Sequence, residues 1–288
     1  MEYLSTRNNK LRKTFKHILF QGLSKDGGLF LPKTWPQIDI NILRDKSYEE
    51  VALHIINLFI ENEILEEDLY EIIHNTYNKF THPKVAPLVN IEKNKYILEL
   101  FYGPTLAFKD YGLQFLGNLI SYYVKKKISN ITVLGATSGD TGSAAIDAFK
   151  GKKNINVFIL HPHKKVSEVQ RRQMTSILDE NIFNIAIEGT FDDCQKIVKD
   201  LFVDNEIQSK TSLTAINSIN WARLMAQTVY YFWSYLQLES KKISFIVPSG
   251  NFGNIFSAHV AQLMGLPIEK LHLVTNENDI LNQNISFG

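Results

Sequence analysis

The chain holds a single cysteine, Cys194, in 288 residues. That excludes an intrachain disulfide and a metal centre built from several thiolates. A lone thiol fits a reducing compartment, and a cytoplasmic location is the expectation. Nowhere does the sequence hold the ~18 consecutive apolar residues that a membrane-spanning helix needs. Lys, Asn or Asp interrupts each apolar stretch within a few residues. Net charge is nearly absent too, since 31 basic and 30 acidic residues leave +1. Such balance argues against a nucleic acid or an anionic membrane as the main partner. The basic start (Arg7, Lys10, Arg12, Lys13 and Lys16) lacks the apolar segment of a secretory signal and reads as a solvated helix face. The histidines, His161 and His163 among them, show no ligand spacing with carboxylates on one helix, so no metal site is expected. No internal repeat or low-complexity linker is visible.

What is present is an ordinary globular composition, 44% hydrophobic and 21% charged, in a chain long enough for about two domains. Residues 1–80 read as a mostly helical first region. Lys10–Gly22 carries Leu11, Phe15, Ile18 and Leu19 at helical spacing, Gly22–Gly28 reads as a turn, and Ser47–Asn62 and Glu66–Phe80 read as amphipathic helices. His82-Pro83 and Pro87 mark a boundary. From Tyr96 the pattern alternates. Strands are expected at Tyr96–Leu100, Ile131–Leu134, Asn156–Leu160, Ile182–Ile187, Leu213–Ile216, Ile243–Val247 and Leu271–Val274. Helices are expected at Phe108–Val124, Ser143–Phe149, Val166–Leu178, Phe191–Phe202, Trp221–Leu238 and Ile255–Met264. Alternation of this kind predicts an α/β fold with a parallel sheet over residues 81–288.

Three segments share a strand, a polar or glycine-rich loop and a helix, the layout in which parallel folds bind ligands outside the carboxyl ends of strands. Gly135-Ala-Thr-Ser-Gly-Asp-Thr-Gly142 offers glycines, hydroxyls and backbone N–H groups to an anion. It is not a Walker loop, because no Lys follows its last glycine, and its glycine spacing is not that of dinucleotide folds. Anion binding and a plain tight turn both account for it. Pro248-Ser-Gly-Asn-Phe-Gly-Asn254 has the same two readings, with Asn251 as a cap in the second. In Phe101-Tyr-Gly-Pro-Thr-Leu-Ala-Phe-Lys-Asp110, Lys109 lies near a helix start among apolar neighbours. Both features disfavour the ammonium form and favour an amine nucleophile, although a surface lysine is the commoner case. A fourth segment, Asn217-Ser-Ile-Asn-Trp-Ala-Arg223, opens a helix. There Arg223 could fork onto a carboxylate or phosphate, or serve a capped helix as a structural ion pair.

Taken together and in this order, the four segments resemble those of the threonine synthases, fold-type-II pyridoxal-phosphate enzymes. Tyr3-Leu-Ser-Thr-Arg7, Gly22–Pro32 and Thr275–Leu281 resemble further parts of that family, so the likeness runs through nearly the whole chain. The resemblance implies an N-terminal domain at 1–80 and a cofactor-dependent α/β domain at 81–288. It implies that Lys109 holds pyridoxal 5'-phosphate as a Schiff base and then moves protons at the substrate carbons. Gly250, Asn251, Phe252, Gly253 and Asn254 would hold the cofactor phosphate. Thr137, Ser138, Asp140 and Thr141 would line the substrate side, and Asn217, Ser218, Asn220 and Arg223 would also contact substrate. Ser5, Thr6 and Arg7 would approach the site.

The implied reaction converts O-phospho-L-homoserine and water to L-threonine and phosphate. It is a carbon–oxygen lyase reaction of γ-elimination and β-addition, with no metal, nucleic acid or membrane partner. Oligomeric state is not implied. Family chains run further than this one. The expectation is therefore a fragment whose catalytic domain is incomplete at its C-terminus, with the residue that bonds the cofactor's pyridine nitrogen lying beyond Gly288. Three alternatives stay open. A threonine dehydratase or cysteine synthase would share the lysine and glycine loops but lack the Asp26-Gly-Gly-Leu29 region. A phospholyase giving 2-oxobutyrate would keep every motif. A cofactor-binding remnant would bind without turnover.

Overall fold

The computed structural model describes residues 1–22, 24–127, 130–216, 220–239, 242–277 and 283. The first region contains β1 (Tyr3–Ser5), β2 (Arg12–Lys13), α1 (Phe15–Gln21), β3 (Phe30–Pro32), α2 (Tyr48–Ile60) and α3 (Glu66–Tyr77). The three strands form an antiparallel sheet ordered β2-β1-β3. They correct the all-helical reading of this stretch. Each is two or three residues long, too short for an alternating pattern, and Ser5 pairs with Phe30 across a gap no local signal spans. The helix expected from Lys10 begins only at Phe15, because Arg12 and Lys13 are extended to pair with Leu4 and Tyr3. Ser47 caps α2 through a reciprocal box with Glu50: the Ser47 hydroxyl accepts from Glu50 N–H and the Glu50 carboxylate accepts from Ser47 N–H.

The second region runs β4 (Leu88–Glu92), β5 (Lys95–Leu98), α4 (Lys109–Lys127), β6 (Ile131–Ala136), α5 (Asp140–Phe149), β7 (Ile155–Pro162), α6 (Glu168–Thr175) and β8 (Ile182–Ile187). It continues through α7 (Phe191–Val203), α8 (Asn205–Lys210), β9 (Ser212–Ala215), α9 (Trp221–Leu236), β10 (Ile243–Pro248), α10 (Gly253–Leu263) and β11 (Ile268–Val274). A four-stranded parallel sheet has the order β8-β7-β6-β9, and β10 and β11 form a separate parallel pair. One expected parallel strand is something else. Residues Lys95–Leu98 pair antiparallel with Leu88–Glu92 in a hairpin turned by Asn94, whose φ of 62° is one that asparagine tolerates. Pro87 obscured the first arm, and the short α8, begun by the Asp204 carboxylate accepting from Glu206 and Ile207 N–H, carried no apolar periodicity.

α9 is apolar around nearly its whole circumference and is buried along most of its length, as a core helix must be. Trp221 at its start sits among Tyr3, Trp35 and Phe59, with ring centroids 6.3, 5.7 and 5.1 Å away, so the first region packs directly on the second. α4 lies between α5 and α9, and two glycines let it come close to both. A Cβ on Gly112 would lie 3.1 Å from Arg223 O on α9, and one on Gly117 would lie 2.5 Å from Ala148 O on α5. These contacts seat α4, whose first residue is Lys109, against the start of α9 and the end of α5. Among the described residues, no helix is long and apolar enough to cross a membrane, and no group of three His, Cys, Asp or Glu is placed to hold a metal.

Gly117→Ala puts a methyl into backbone oxygen, a contact that only movement of α4 or α5 relieves. Destabilisation of about 1–3 kcal/mol is expected, read as a lowered midpoint of thermal unfolding. An unchanged midpoint would show that the α4–α5 spacing is not set at this glycine.

Candidate active site

A cleft of about 1920 Å³ opens at the carboxyl ends of β6, β9 and β10, where Ala136, Ala215 and Pro248 end their strands. Lys109 enters it as the first residue of α4. Its position does not derive from a preceding parallel strand, as the sequence suggested, but from a tied loop. The buried Asp110 carboxylate accepts from Thr105 N–H and from the Thr105 hydroxyl, both at 2.8 Å. Gly103 lies so close that an added Cβ would be 2.5 Å from Asp110 Cβ. Leu106 takes a φ of 59° to complete the turn, and Gln173 Nε2 donates to Thr105 O at 3.1 Å. Lys109 Nζ rests 4.2 Å from the Phe108 ring centroid. Burial lowers the pKa of the Lys109 ammonium; Asp140 works against that shift and the Arg223 guanidinium adds to it.

The loop after β6 is organised by Thr137. Its hydroxyl accepts from Gly139 N–H at 3.0 Å and Gly142 N–H at 2.9 Å and donates to Gly139 O at 3.0 Å. Thr137 therefore borders the cleft while its hydroxyl is spent inside the loop. Ser138, Asp140 and Thr141 also line the cleft, and Asp140 Oδ1 accepts from Gln170 Nε2 at 2.5 Å. Gly139 takes a φ of 157°, and a Cβ there would lie 2.4 Å from Gln170 Oε1, so another residue would be strained and would displace the Gln170 amide.

The loop after β10 turns through Phe252 at φ 65° into α10. Gly250, Asn251 and Asn254 line the cleft; Phe252 and Gly253 set the turn and the helix start without lining it. The Ser249 hydroxyl is buried, borders the cleft and has no hydrogen-bond partner among the described residues, and among them a Cβ on Gly250 would meet nothing within 4 Å. Open space beside an orphaned hydroxyl, at the positive end of a helix, is suited to an anion. Asn254 Oδ1 accepts from the hydroxyls of Tyr230 at 2.5 Å and Tyr231 at 2.8 Å.

Other expected residues do not reach this cleft. Asn220 caps α9, with Oδ1 accepting from Ala222 N–H at 3.0 Å and Nδ2 donating to Leu19 O at 3.2 Å. Arg223 is 1% exposed and lies behind the site, where burial lowers its pKa to about 10. Its effect on Lys109 is electrostatic. Asn217 and Ser218 lie outside the described residues, as does most of Asn276–Leu281. Ser5 and Arg7 bind Asp26, and Thr6 accepts from Leu29 N–H, away from the cleft. The sequence reading missed the basic rim. Lys13, Lys16, Lys25 and Lys199 line the cleft together with Lys109, against one carboxylate, Asp140. Lys13 and Lys16 belong to the basic start that read as a solvated face; Lys13 lies on β2 and Lys16 on α1, and both line the cleft.

Two family models match the chain. One described as threonine synthase N terminus covers residues 2–77, and one described as pyridoxal-phosphate dependent enzyme covers residues 81–285. Among curated relatives, the threonine synthase of Pseudomonas aeruginosa is 47% identical over 99% of this chain and 62% of its own length. That of Saccharomyces cerevisiae is 47% identical over 99% of this chain and 60% of its own. The crystal structure of a PLP-bound threonine synthase from Brucella melitensis superposes with a TM-score of 0.94 at 46% identity, covering 100% of this chain and 63% of that one. The chain thus spans about three fifths of the length of these relatives.

The neutral amine is the reactive form of Lys109, so its reactivity is present above its pKa and lost as pH falls through it. Because burial lowers that pKa, the loss occurs at lower pH than for an ordinary lysine near ~10.4. Acylation of Lys109 followed by peptide mapping across pH checks this; a midpoint at or above the ordinary value would contradict it.

Proposed function

Because the chain belongs to the threonine synthase family of pyridoxal-phosphate-dependent enzymes, we propose that it serves the conversion of O-phospho-L-homoserine and water to L-threonine and phosphate. The observation that carries this reading is the meeting, in one cleft, of a half-buried lysine amine with an anion cradle. The residues present fit pyridoxal phosphate. Ser249 Oγ and the space at Gly250, ahead of α10, suit its phosphate, and Lys109 Nζ suits its aldehyde. When bound, that cofactor supplies an electron sink for charge developing at the substrate carbons.

The chain's own residues do the rest. Lys109 would hold the cofactor through its amine and would carry protons at the substrate α- and β-carbons, a task suited to an amine of lowered pKa. Gly250, Asn251 and Asn254 hold the cofactor phosphate on the cleft side, and Phe252 and Gly253 shape that loop. Ser138 and Thr141, with backbone N–H groups at the start of α5, take the substrate carboxylate, and Thr137 holds their loop in shape. The excess of lysine over carboxylate around the cleft suits a substrate bearing both a carboxylate and a phosphate. In this reading residues 1–80 form a domain that contributes Lys13, Lys16 and Lys25 to the substrate side, residues 81–288 form the cofactor domain, and the protein works in the cytoplasm.

The test is product analysis. Incubated with pyridoxal phosphate and O-phosphohomoserine, the protein should release phosphate and threonine in equal amounts, and Lys109→Ala should reduce release to background. Phosphate with 2-oxobutyrate in place of threonine would make it a phospholyase. Cofactor binding without any product would make it a binding protein.

A further inference from the structure

The polarity of an anion cradle depends on which end of each amide faces the ligand. An asparagine presents donors if its Nδ2 faces inward and an acceptor if its Oδ1 does, and the two arrangements have nearly the same shape. At Asn254 that choice is made by two neighbours on α9. Tyr230 is fully buried and Tyr231 is 2% exposed, so each phenol proton needs an acceptor inside the protein. Both find Asn254 Oδ1, at 2.5 and 2.8 Å, and Tyr231 also reaches Asn254 O at 3.1 Å. With Oδ1 held by two donors, Nδ2 must point away from them. The rings have little freedom to give way. Tyr230 packs edge-on against Tyr111 of α4 at 5.5 Å, and Tyr231 edge-on against Phe245 of β10 at 4.8 Å. Burial raises the pKa of both phenols, so both remain donors through the physiological range.

We propose that Tyr230 and Tyr231 are positioning residues for the phosphate cradle: by claiming Asn254 Oδ1 they turn the Asn254 Nδ2 donors toward the cleft and so favour a phosphorylated cofactor. This rests on the cofactor reading given above. Neither tyrosine lines the cleft. Their effect passes through one amide, and it is felt by the phosphate of the cofactor and not by its ring or aldehyde.

The test compares pyridoxal phosphate with pyridoxal, which lacks the phosphate, as ligands of the purified protein and of Tyr230→Phe and Tyr231→Phe. Dissociation constants come from absorbance or fluorescence titration, and thermal unfolding of the unliganded proteins is measured alongside. Each substitution keeps its ring and deletes one hydroxyl. Affinity for pyridoxal phosphate should fall by roughly three- to tenfold in each variant, the effect of one lost hydrogen bond, while affinity for pyridoxal stays within about twofold. Equal losses for both ligands would make the tyrosines merely structural and overturn the proposal, as would no loss for either. Tyr231→Phe, at the less enclosed position, carries the test alone if Tyr230→Phe does not fold. Failure of the unsubstituted protein to bind either aldehyde would instead overturn the cofactor reading, and this inference with it.

Discussion

The molecule depends on holding one lysine amine half-buried at the head of a helix, beside a cleft. An ammonium is costly to bury and an amine is not, so wherever the chain forces Lys109 inside, it shifts the side chain toward its reactive form. The start of α4 is held by a few close contacts. The Asp110 carboxylate ties back Thr105, Gly103 lets that loop lie flat on Asp110, and Gly112 and Gly117 let α4 settle between α9 and α5. Arg223, buried behind the amine, works in the same direction, and Asp140, in front of it, sets a limit.

Around that amine the chain arranges donors, not charges, wherever an anion must be held closely. The loops after β6 and β10 lead into α5 and α10, and Asp140, Thr141 and Asn254 at those helix starts line the same cleft. Lysines stand further out, at the rim. The helix starts supply fixed dipoles, and Lys13, Lys16, Lys25 and Lys199 add positive charge along the lining. The N-terminal region belongs to this arrangement, since Lys13 of β2 and Lys16 of α1 line the cleft.

What the sequence made legible follows from how local each signal was. The helices and parallel strands from Ile131 onward were readable because their apolar periods are long and their ends carry glycine-rich loops. Lys109 and the two loops border one cleft, yet taken singly each kept a second reading, surface lysine or plain turn, and only the resemblance of the whole set separated them. The hairpin at Leu88–Leu98 was not, since Pro87 and a two-residue turn broke its pattern, nor was the three-stranded sheet, whose pairing joins Tyr3 to Pro32. Polar residues were the hardest to assign. Asn220 and Arg223 looked like ligands but serve a helix cap and a buried charge. Ser249 looked like part of a turn yet leaves its hydroxyl unpartnered beside the cleft. Type and spacing do not reveal which way a side chain points.

The central claim is that Lys109 is the one amine this cleft exists to present, and the most direct measurement is chemical. The protein would be mixed with pyridoxal phosphate, its visible spectrum recorded, and the sample reduced with borohydride, digested and mapped. The account predicts a visible absorption band that disappears on reduction and a single stable adduct on Lys109. An adduct spread over the rim lysines, or one confined to another residue, would contradict it.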